Sequence, residues 1–173
     1  MNERWDNYFL NICATVASNS RCLSRQIGAI CVRDKSIIST GYNGPPRNVP
    51  ECGAPRIAND DRMSALIDNC EIPIITTTCP RYLMGAESGD MLDFCIAAHA
   101  ESNCIANAAK VGVSLDGSTM YMTCGIPCRF CLAHIINAGI IAIVCNGLNY
   151  YDKSSEYILT HSKLLVREFG KDF

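Results

Sequence analysis

The sequence predicts a three-layer α/β/α fold, in which helices flank a central mixed β-sheet. Strand and helix patterns alternate through the second half of the chain, which is typical of a layered α/β protein. A β-branched strand hairpin is also predicted in the first half. With 173 residues, of which 49% are hydrophobic and 18% charged, the chain has the size and composition of one globular domain.

The first half is predicted to contain one helix and one hairpin. Apolar side chains recur at spacings of three and four over residues 3–19, which predicts an amphipathic helix. The runs QIGAICVR and SIISTGY, joined by the polar turn DKS, predict a hairpin over about 26–42. Residues 52–98 contain four cysteines and three prolines without a sustained periodicity. We therefore predict one domain over residues 1–173, with an ordered insertion at about 52–98.

The second half alternates between helix and strand patterns. Its predicted elements are a helix over 99–111, a strand over 118–123, a helix that opens at PCRFCLAHIINAG, a strand over 140–145 and a last helix over about 153–169. Helices that connect successive strands in this way cover the faces of the sheet.

Composition and charge limit the location and the partners. Asp and Asn residues interrupt the apolar residues near the start of the chain, so we predict neither a signal peptide nor a membrane span there. We expect a cytoplasmic protein, or one of the host cytoplasm if the gene is viral, whose clustered cysteines are metal ligands or core residues rather than disulfides. A net charge of −2 and a pI near 5.9 argue against nucleic acid as a partner, and we expect no membrane partner.

Two short motifs carry the chemistry. Pro127 suits the first turn of a helix, which would place Cys128 and Cys131 on one face of that turn. Such a pair alone fits two core cysteines as well as two metal ligands. His99 and Glu101 open the other helix of this half and complete the pattern H-x-E…P-C-x-x-C. That pattern is the signature of zinc deaminases that act on nucleobases.

The residue types explain why this pattern suits hydrolysis. One imidazole and two thiolates leave the fourth position of a tetrahedral zinc ion to water, which distinguishes a catalytic site from a closed structural one. Zinc lowers the pKa of bound water toward about 7. Glu101 is not needed as a ligand, so it can take a proton from water and return it to a ring nitrogen and the departing amine. We predict His99, Cys128 and Cys131 as zinc ligands and Glu101 as the catalytic residue.

Longer stretches around these motifs resemble the deoxycytidylate deaminases of the cytidine deaminase-like superfamily, especially phage and bacterial members. The stretches are RCLSRQIGAICV, IISTGYNGPPRNVPEC, HAESNCIANAAKVG, GSTMYMTCGIPCRFC and INAGIIAIV. The resemblance implies the cytidine deaminase-like fold and the hydrolysis of dCMP to dUMP and ammonia, which supplies dUMP for thymidylate synthesis. It also implies a homo-oligomer, with a hexamer favoured, that dCTP activates and dTTP inhibits.

The resemblance further assigns substrate contacts, which are Ser24, Arg25, Asn43, Ala100 and Tyr151. Asn43 corresponds to the family asparagine of the GYNG turn, and Arg25 matches best a basic residue that precedes the first strand. Ser24 stands where an arginine is common in the family. Arg21 or Arg47 could therefore share the phosphate contact, although a solvated surface role fits each arginine equally well.

An effector site is implied at the GYNG loop, where Tyr42, Gly44 and Arg47 would line it. The glycines and prolines of this loop make it stiff and poor in side chains, so that a triphosphate could meet backbone N–H groups. A second, structural zinc is a further hypothesis. Its ligands would be Cys22 and Cys52, which match zinc positions of some phage members, completed by Cys79 or Cys95. The alternative is that the insertion cysteines are simply packed.

Two other functions remain open from the sequence. One is a deaminase of a different amine, namely dCTP, a free nucleobase or a tRNA adenosine, although a tRNA enzyme would need a basic face that this composition does not offer. The other is a non-catalytic zinc module in which Cys124 closes the tetrahedron. In that module Glu101 would have no role.

Overall fold

A computed structural model describes residues 3–63, 72–87 and 89–171. These residues form two compact units. The first unit lies within Met1–Ser20, Ile27–Asn43 and His99–Phe173. The second lies within Arg21–Gln26 and Gly44–Ala98.

The helices of the described residues are α1 (Glu3–Ala17), α2 (Ala54–Ile57), α3 (Ile72–Thr77), α4 (Pro80–Leu83), α5 (Ala100–Val111), α6 (Arg129–Asn137) and α7 (Lys153–His161). Two 3-10 turns, Asp61–Met63 and Leu92–Phe94, lie in the second unit together with α2, α3 and α4. Among the described residues, no helix combines the length and the apolar character that crossing a membrane requires.

The first unit is built on a mixed sheet of five strands. They are β1 (Gly28–Arg33), β2 (Ser36–Tyr42), β3 (Thr119–Met122), β4 (Ala142–Cys145) and β5 (Leu165–Glu168). Their spatial order is β2-β1-β3-β4-β5. Strand β1 pairs antiparallel with β2 and β3, whereas the β3–β4 and β4–β5 pairs are parallel. The mixed sheet is therefore confirmed, and the predicted hairpin corresponds to β1 and β2.

Alternate strand residues enter two apolar clusters, one on each face of the sheet, because successive side chains of a strand point to opposite faces. On one face, Ile30 of β1 and Tyr121 of β3 pack with Phe9 of α1. On the other face, Cys31 and Met120 pack with buried residues of α5 and α6, and α7 adds partly buried side chains. Helices thus cover both faces, which confirms the three layers.

The last helix differs from the prediction. It ends at His161 instead of continuing to about residue 169, and Leu165–Glu168 form β5 beside β4. The prediction was wrong because the apolar residues of this segment fit a helical period as well as a short strand. Pairing with a buried neighbouring strand decided between the two, as tertiary context often does.

A buried ion pair fastens α1 to β5. The guanidinium of Arg167 donates to both carboxylate oxygens of Asp6, at 2.7 and 2.8 Å, and the N–H of Gly170 donates to the same carboxylate at 3.1 Å. Burial raises the pKa of Asp6, but the hydrogen bonds from Arg167 and Gly170 outweigh it, so the net pKa lies below 3.8. This charge pair therefore joins the first helix to the last strand.

Removing one partner of this pair leaves the other charge buried and uncompensated. We expect Asp6→Asn to lower the free energy of unfolding by about 3–5 kcal/mol. Because the folded-state pKa is lowered, the wild-type contribution is fully present above pH 3.8 and is lost as the pH falls through that lower pKa. The variant should therefore lose less stability between neutral and acid pH.

Denaturant unfolding of both proteins at neutral and acid pH measures these effects. Asp61→Asn, at an exposed carboxylate, is the matched control and should change stability little. Equal stabilities of wild type and Asp6→Asn at neutral pH would show that the pair does not support the fold.

Two buried arginines organise the second unit. Arg56 donates to the carboxylate of Asp60 at 3.0 Å and to the carbonyl oxygen of Phe94 at 2.6 Å. Arg81 donates to the carbonyl oxygens of Glu87 and Asp90, at 3.0 and 2.6 Å. Each guanidinium thus ties a short helix to a later part of the unit through several hydrogen bonds, and the described helices of this unit have only four to six residues. Cys70, one of the four cysteines noted in this segment, lies outside the described residues.

Candidate metal centre and active site

The three predicted ligands come together where two helices begin. His99 is the N-cap of α5, and Cys128 is the N-cap of α6. Cys131 lies in the first turn of α6 and is buried. The sequence predicts Pro127 and Cys128 inside that first turn, but the helix begins at Arg129. The helix thus begins one residue after Cys128, and both thiols stay at its start.

The distances within this His/Cys/Cys group fit a zinc ion. The Nδ1 atom of His99 lies 3.5 Å from Sγ of Cys128 and 3.3 Å from Sγ of Cys131. In a tetrahedral site, Zn–N and Zn–S bonds of about 2.0 and 2.3 Å place nitrogen and sulfur about 3.5 Å apart. All three ligand atoms lie within 4.8 Å of one another. The group therefore needs little rearrangement to hold the ion through Nδ1 and two thiolates.

The pair of thiols is prepared to lose one of its two protons, and metal binding requires thiolates. The hydrogen bond from Cys131 lowers the pKa of the Cys128 thiol, and His99 acts in the same direction. The same contact raises the pKa of Cys131, so the two share one proton between them. Both thiols also stand at a helix N-terminus, whose partial positive charge favours anions.

Ser102 adds a contact that the sequence motifs do not predict. It lies on α5, one residue after Glu101, and its hydroxyl lies 3.5 Å from Sγ of Cys131. Outer hydrogen bonds of this kind orient metal ligands. The spacing of three from His99 places Ser102 on the same face of the helix, which is the signal that could have indicated it.

Glu101 is buried at the start of α5, next to the ligand group. Its side chain is only 4% exposed, and burial raises the pKa of its carboxyl above the usual value. A carboxyl group with a raised pKa is suited to exchange protons near neutral pH. The structure thus places a buried acid beside the His/Cys/Cys group.

Cys124 does not belong to the ligand group. Among the described residues, the only set of three metal-binding side chains within reach of one ion is His99, Cys128 and Cys131. The thiol of Cys124 instead lies 3.8 Å from Oε1 of Glu101. This geometry does not support the non-catalytic module, in which Cys124 would be the fourth ligand.

The close approach of β2 fixes the helix that carries His99 and Glu101. A Cβ atom at Gly41 would lie 2.5 Å from the carbonyl oxygen of Ala100 and 2.2 Å from the amide nitrogen of Cys104. Any side chain larger than hydrogen would therefore push α5 away from the sheet. Glycine at this position therefore allows the N-terminal part of α5 to pack directly against β2.

Three of the predicted substrate residues lie in the first unit. Asn43 is buried, and its Oδ1 accepts a hydrogen bond from the amide of Ile27 at 2.8 Å. Ala100 is fully buried in the core, so a contact with substrate would have to use its backbone. Tyr151 is 40% exposed. Tyr42, predicted for the effector site, is also exposed, and its carbonyl oxygen accepts from Asn103.

The other predicted nucleotide contacts lie in the second unit. The hydroxyl of Ser24 is 2.6 Å from the hydroxyl of Tyr82, and Arg25 is exposed. Gly44 pairs with Ala98 through two backbone hydrogen bonds, of 2.8 and 3.1 Å. Arg47 is exposed in the loop that follows. Their roles in binding substrate or effector stay predictions.

The cysteines of the hypothesised second zinc site also lie in the second unit. They are Cys22, Cys52, Cys79 and Cys95. Burial, and then the proximity of Cys79 and Cys22, raises the pKa of Cys52, whereas the Arg56 guanidinium, 3.7 Å from its sulfur, opposes this shift. Within the described part of the chain, no second group of three side chains comes as close together as the His/Cys/Cys group. A second ion stays a prediction.

The family follows from comparison with known proteins. The model of the cytidine and deoxycytidylate deaminase zinc-binding region matches residues 3–146. The chain belongs to this family. A deoxycytidylate deaminase of Mycobacterium phage D29 is 32% identical over 146 residues, which cover 81% of this chain and 92% of the phage protein. The matched region contains the His/Cys/Cys group, which is compatible with the zinc that the family model describes.

Two further comparisons extend this result. The deoxycytidylate deaminase of Saccharomyces cerevisiae is 28% identical over 98% of this chain, but the chain spans only 46% of the length of that relative. The crystal structure of a dCMP deaminase from cyanophage S-TIM5 in complex with dCMP and dUMP aligns with a TM-score of 0.66 at 22% identity. That alignment covers 97% of this chain and 98% of the phage chain, and it confirms the cytidine deaminase-like fold.

Metal analysis tests the centre and the second-ion hypothesis together. The His/Cys/Cys group alone predicts one zinc ion per chain, and the further cysteine site predicts two. Cys128→Ser should remove the first ion, because a hydroxyl is a poor replacement for a thiolate ligand. Cys52→Ser should affect only the second.

The outcomes separate cleanly. One zinc ion in wild type, unchanged in Cys52→Ser, removes the second site. Wild type that binds no zinc, or Cys128→Ser that retains all of it, contradicts the assignment of the His/Cys/Cys group.

Proposed function

We propose that this protein is a zinc-dependent dCMP deaminase, which hydrolyses dCMP to dUMP and ammonia. The observation that carries the proposal is the His/Cys/Cys group with the buried carboxylate of Glu101 beside it. Relatives named deoxycytidylate deaminase in yeast and phages, and the phage enzyme crystallised with dCMP and dUMP, support dCMP as the substrate.

The residues divide the work between binding and proton transfer. His99, Cys128 and Cys131 would hold zinc, which supplies Lewis-acid activation of a water molecule. Glu101 accepts a proton from the attacking water and delivers it to N3 of the cytosine ring, while the new C–O bond forms at C4. It then transfers the second proton of that water to the exocyclic amine, the C4–N bond breaks, and ammonia and dUMP leave.

The dry surroundings of Glu101 suit this double role. A carboxylate in contact with bulk water would exchange its proton with solvent, whereas a side chain that is 4% exposed keeps the proton for the substrate. Burial also raises the pKa of Glu101, so that its carboxyl group holds the proton between its removal from water and its delivery to N3 or to the amine.

Recognition of the nucleotide is proposed from the family resemblance. Asn43 would bind the deoxyribose, and Arg25 would bind the phosphate through a charge-assisted hydrogen bond. Ser24, Ala100 and Tyr151 are the other proposed contacts. Arg21 and Arg47 are the other two arginine candidates. Both are exposed, so either is able to add a second positive charge for the phosphate.

Regulation and assembly belong to the same proposal. We place effectors at the GYNG loop, with dCTP as activator and dTTP as inhibitor, and a hexamer as the assembled form in the cytoplasm. The exposed Tyr42 and Arg47 offer an aromatic ring and a guanidinium, which are side chains that bind bases and phosphates.

A substrate panel tests this function. Zinc-loaded protein should release ammonia from dCMP, with a fall in cytosine absorbance, and turn over deoxycytidine much more slowly because the phosphate contact is missing. Rates with dCMP should rise when dCTP is added and fall when dTTP replaces it. Turnover of dCTP, a free base or a tRNA adenosine in preference to dCMP would transfer the chemistry to another amine. No release of ammonia from any of them would reject the enzyme.

The role of Glu101 is tested by an isosteric change. Glu101→Gln keeps the size of the side chain but cannot accept and return a proton, so we expect kcat to fall by about 10²–10⁴-fold with zinc content unchanged. Glu156→Gln, at an exposed position of α7, is the matched control and should retain wild-type rates. Full activity of Glu101→Gln would contradict the proton-transfer role.

A further inference from the structure

Cys124 contacts Glu101, the proposed proton carrier, although the proposed reaction does not use its thiol. Its Sγ lies 3.8 Å from Oε1 of Glu101, within the range of a hydrogen bond that involves sulfur. The thiol is half-buried and the carboxylate is buried, so the contact has little competition from water.

The backbone holds Cys124 firmly. It is the second residue after β3, and the amide of the intervening Thr123 donates to the carbonyl oxygen of Gly28 at 3.0 Å. The carbonyl oxygen of Cys124 itself accepts from the amide of Asn146, which follows β4, at 2.8 Å. The ends of two neighbouring strands therefore fix the position from which the thiol reaches Glu101.

The chemistry of the pair gives the direction of the hydrogen bond. A carboxylate only accepts, so the thiol must be the donor. Burial and the negative charge of Glu101 raise the pKa of the Cys124 thiol well above 9.0, which keeps its proton in place. The contact engages Oε1, and the carboxylate also accepts a hydrogen bond from the backbone N–H of Glu101 itself.

We propose that Cys124 is a positioning residue that fixes the rotation of the Glu101 carboxylate through an S–H···Oε1 hydrogen bond. The inference rests on the proposed deaminase function, since it assigns a purpose to the orientation of Glu101. With Oε1 engaged, the carboxylate is restrained in its rotation, and a proton carrier that is held in one orientation avoids the cost of being ordered during the reaction.

Kinetics of three variants test this role. Cys124→Ala removes the donor, so kcat should fall about three- to tenfold, the effect of one ordinary hydrogen bond, while KM for dCMP and the zinc content stay unchanged. Cys124→Ser restores an O–H donor and should recover most of the loss. Cys13→Ala, which removes a buried thiol on the α1 side of the sheet, is the control for a merely structural effect.

A spectroscopic measurement tests the contact without relying on activity. The infrared difference between wild type and Cys124→Ala isolates the S–H stretching band of Cys124. Donation to a carboxylate shifts this band to lower wavenumber, so it should move to higher wavenumber in Glu101→Gln, whose amide is a weaker acceptor. This readout stands even if the protein turns out to act on a substrate other than dCMP.

Several results would overturn the inference. Loss of zinc in Cys124→Ala would make Cys124 a ligand. An equal fall of kcat in Cys124→Ala, Cys124→Ser and Cys13→Ala would make the effect structural. An S–H band that is insensitive to Glu101→Gln would show that the hydrogen bond does not form. Absence of dCMP turnover in wild type, with the band shift present, would instead reject the proposed substrate and leave the contact intact.

Discussion

The convergence of two helix N-termini on one imidazole and two thiols is the constraint on which the site depends. Nδ1 of His99 lies 3.3 and 3.5 Å from the sulfurs of Cys131 and Cys128, although 29 or more residues separate the partners in the chain. Two thiolates at this spacing repel each other unless a cation or the helix dipoles compensate their negative charge. The chemistry of the site therefore depends on how α5 and α6 are placed.

Close packing against the sheet fixes the positions of these helices. Gly41 lets α5 approach β2 closer than any side chain would allow, which sets the height of His99 and Glu101. The parallel strands β3 and β4 end on the same side of the sheet, and the loop that leaves β3 leads through Cys124 to Cys128 at the start of α6. Ligands, proton carrier and its thiol neighbour are thus held by elements that share one core.

Much of this arrangement could be predicted from the sequence, because it depends on local patterns. Residue type and spacing identified His99, Cys128 and Cys131, and period changes identified the mixed sheet. The strand β5 could not be predicted, since Arg167 owes its burial to Asp6, 161 positions away in the chain. The contact of Cys124 with Glu101 was missed for the same reason: it joins the end of a strand to the first turn of a helix, and no spacing rule relates them.

X-ray absorption at the zinc edge of the loaded protein tests the central claim, an open metal centre with two thiolates, most directly. The account predicts two sulfur neighbours at about 2.3 Å and two nitrogen or oxygen neighbours at about 2.0 Å, one from His99 and one from solvent. Three sulfur neighbours would contradict it, because Cys124 would then close the tetrahedron and leave no position for the water that a hydrolytic deaminase requires.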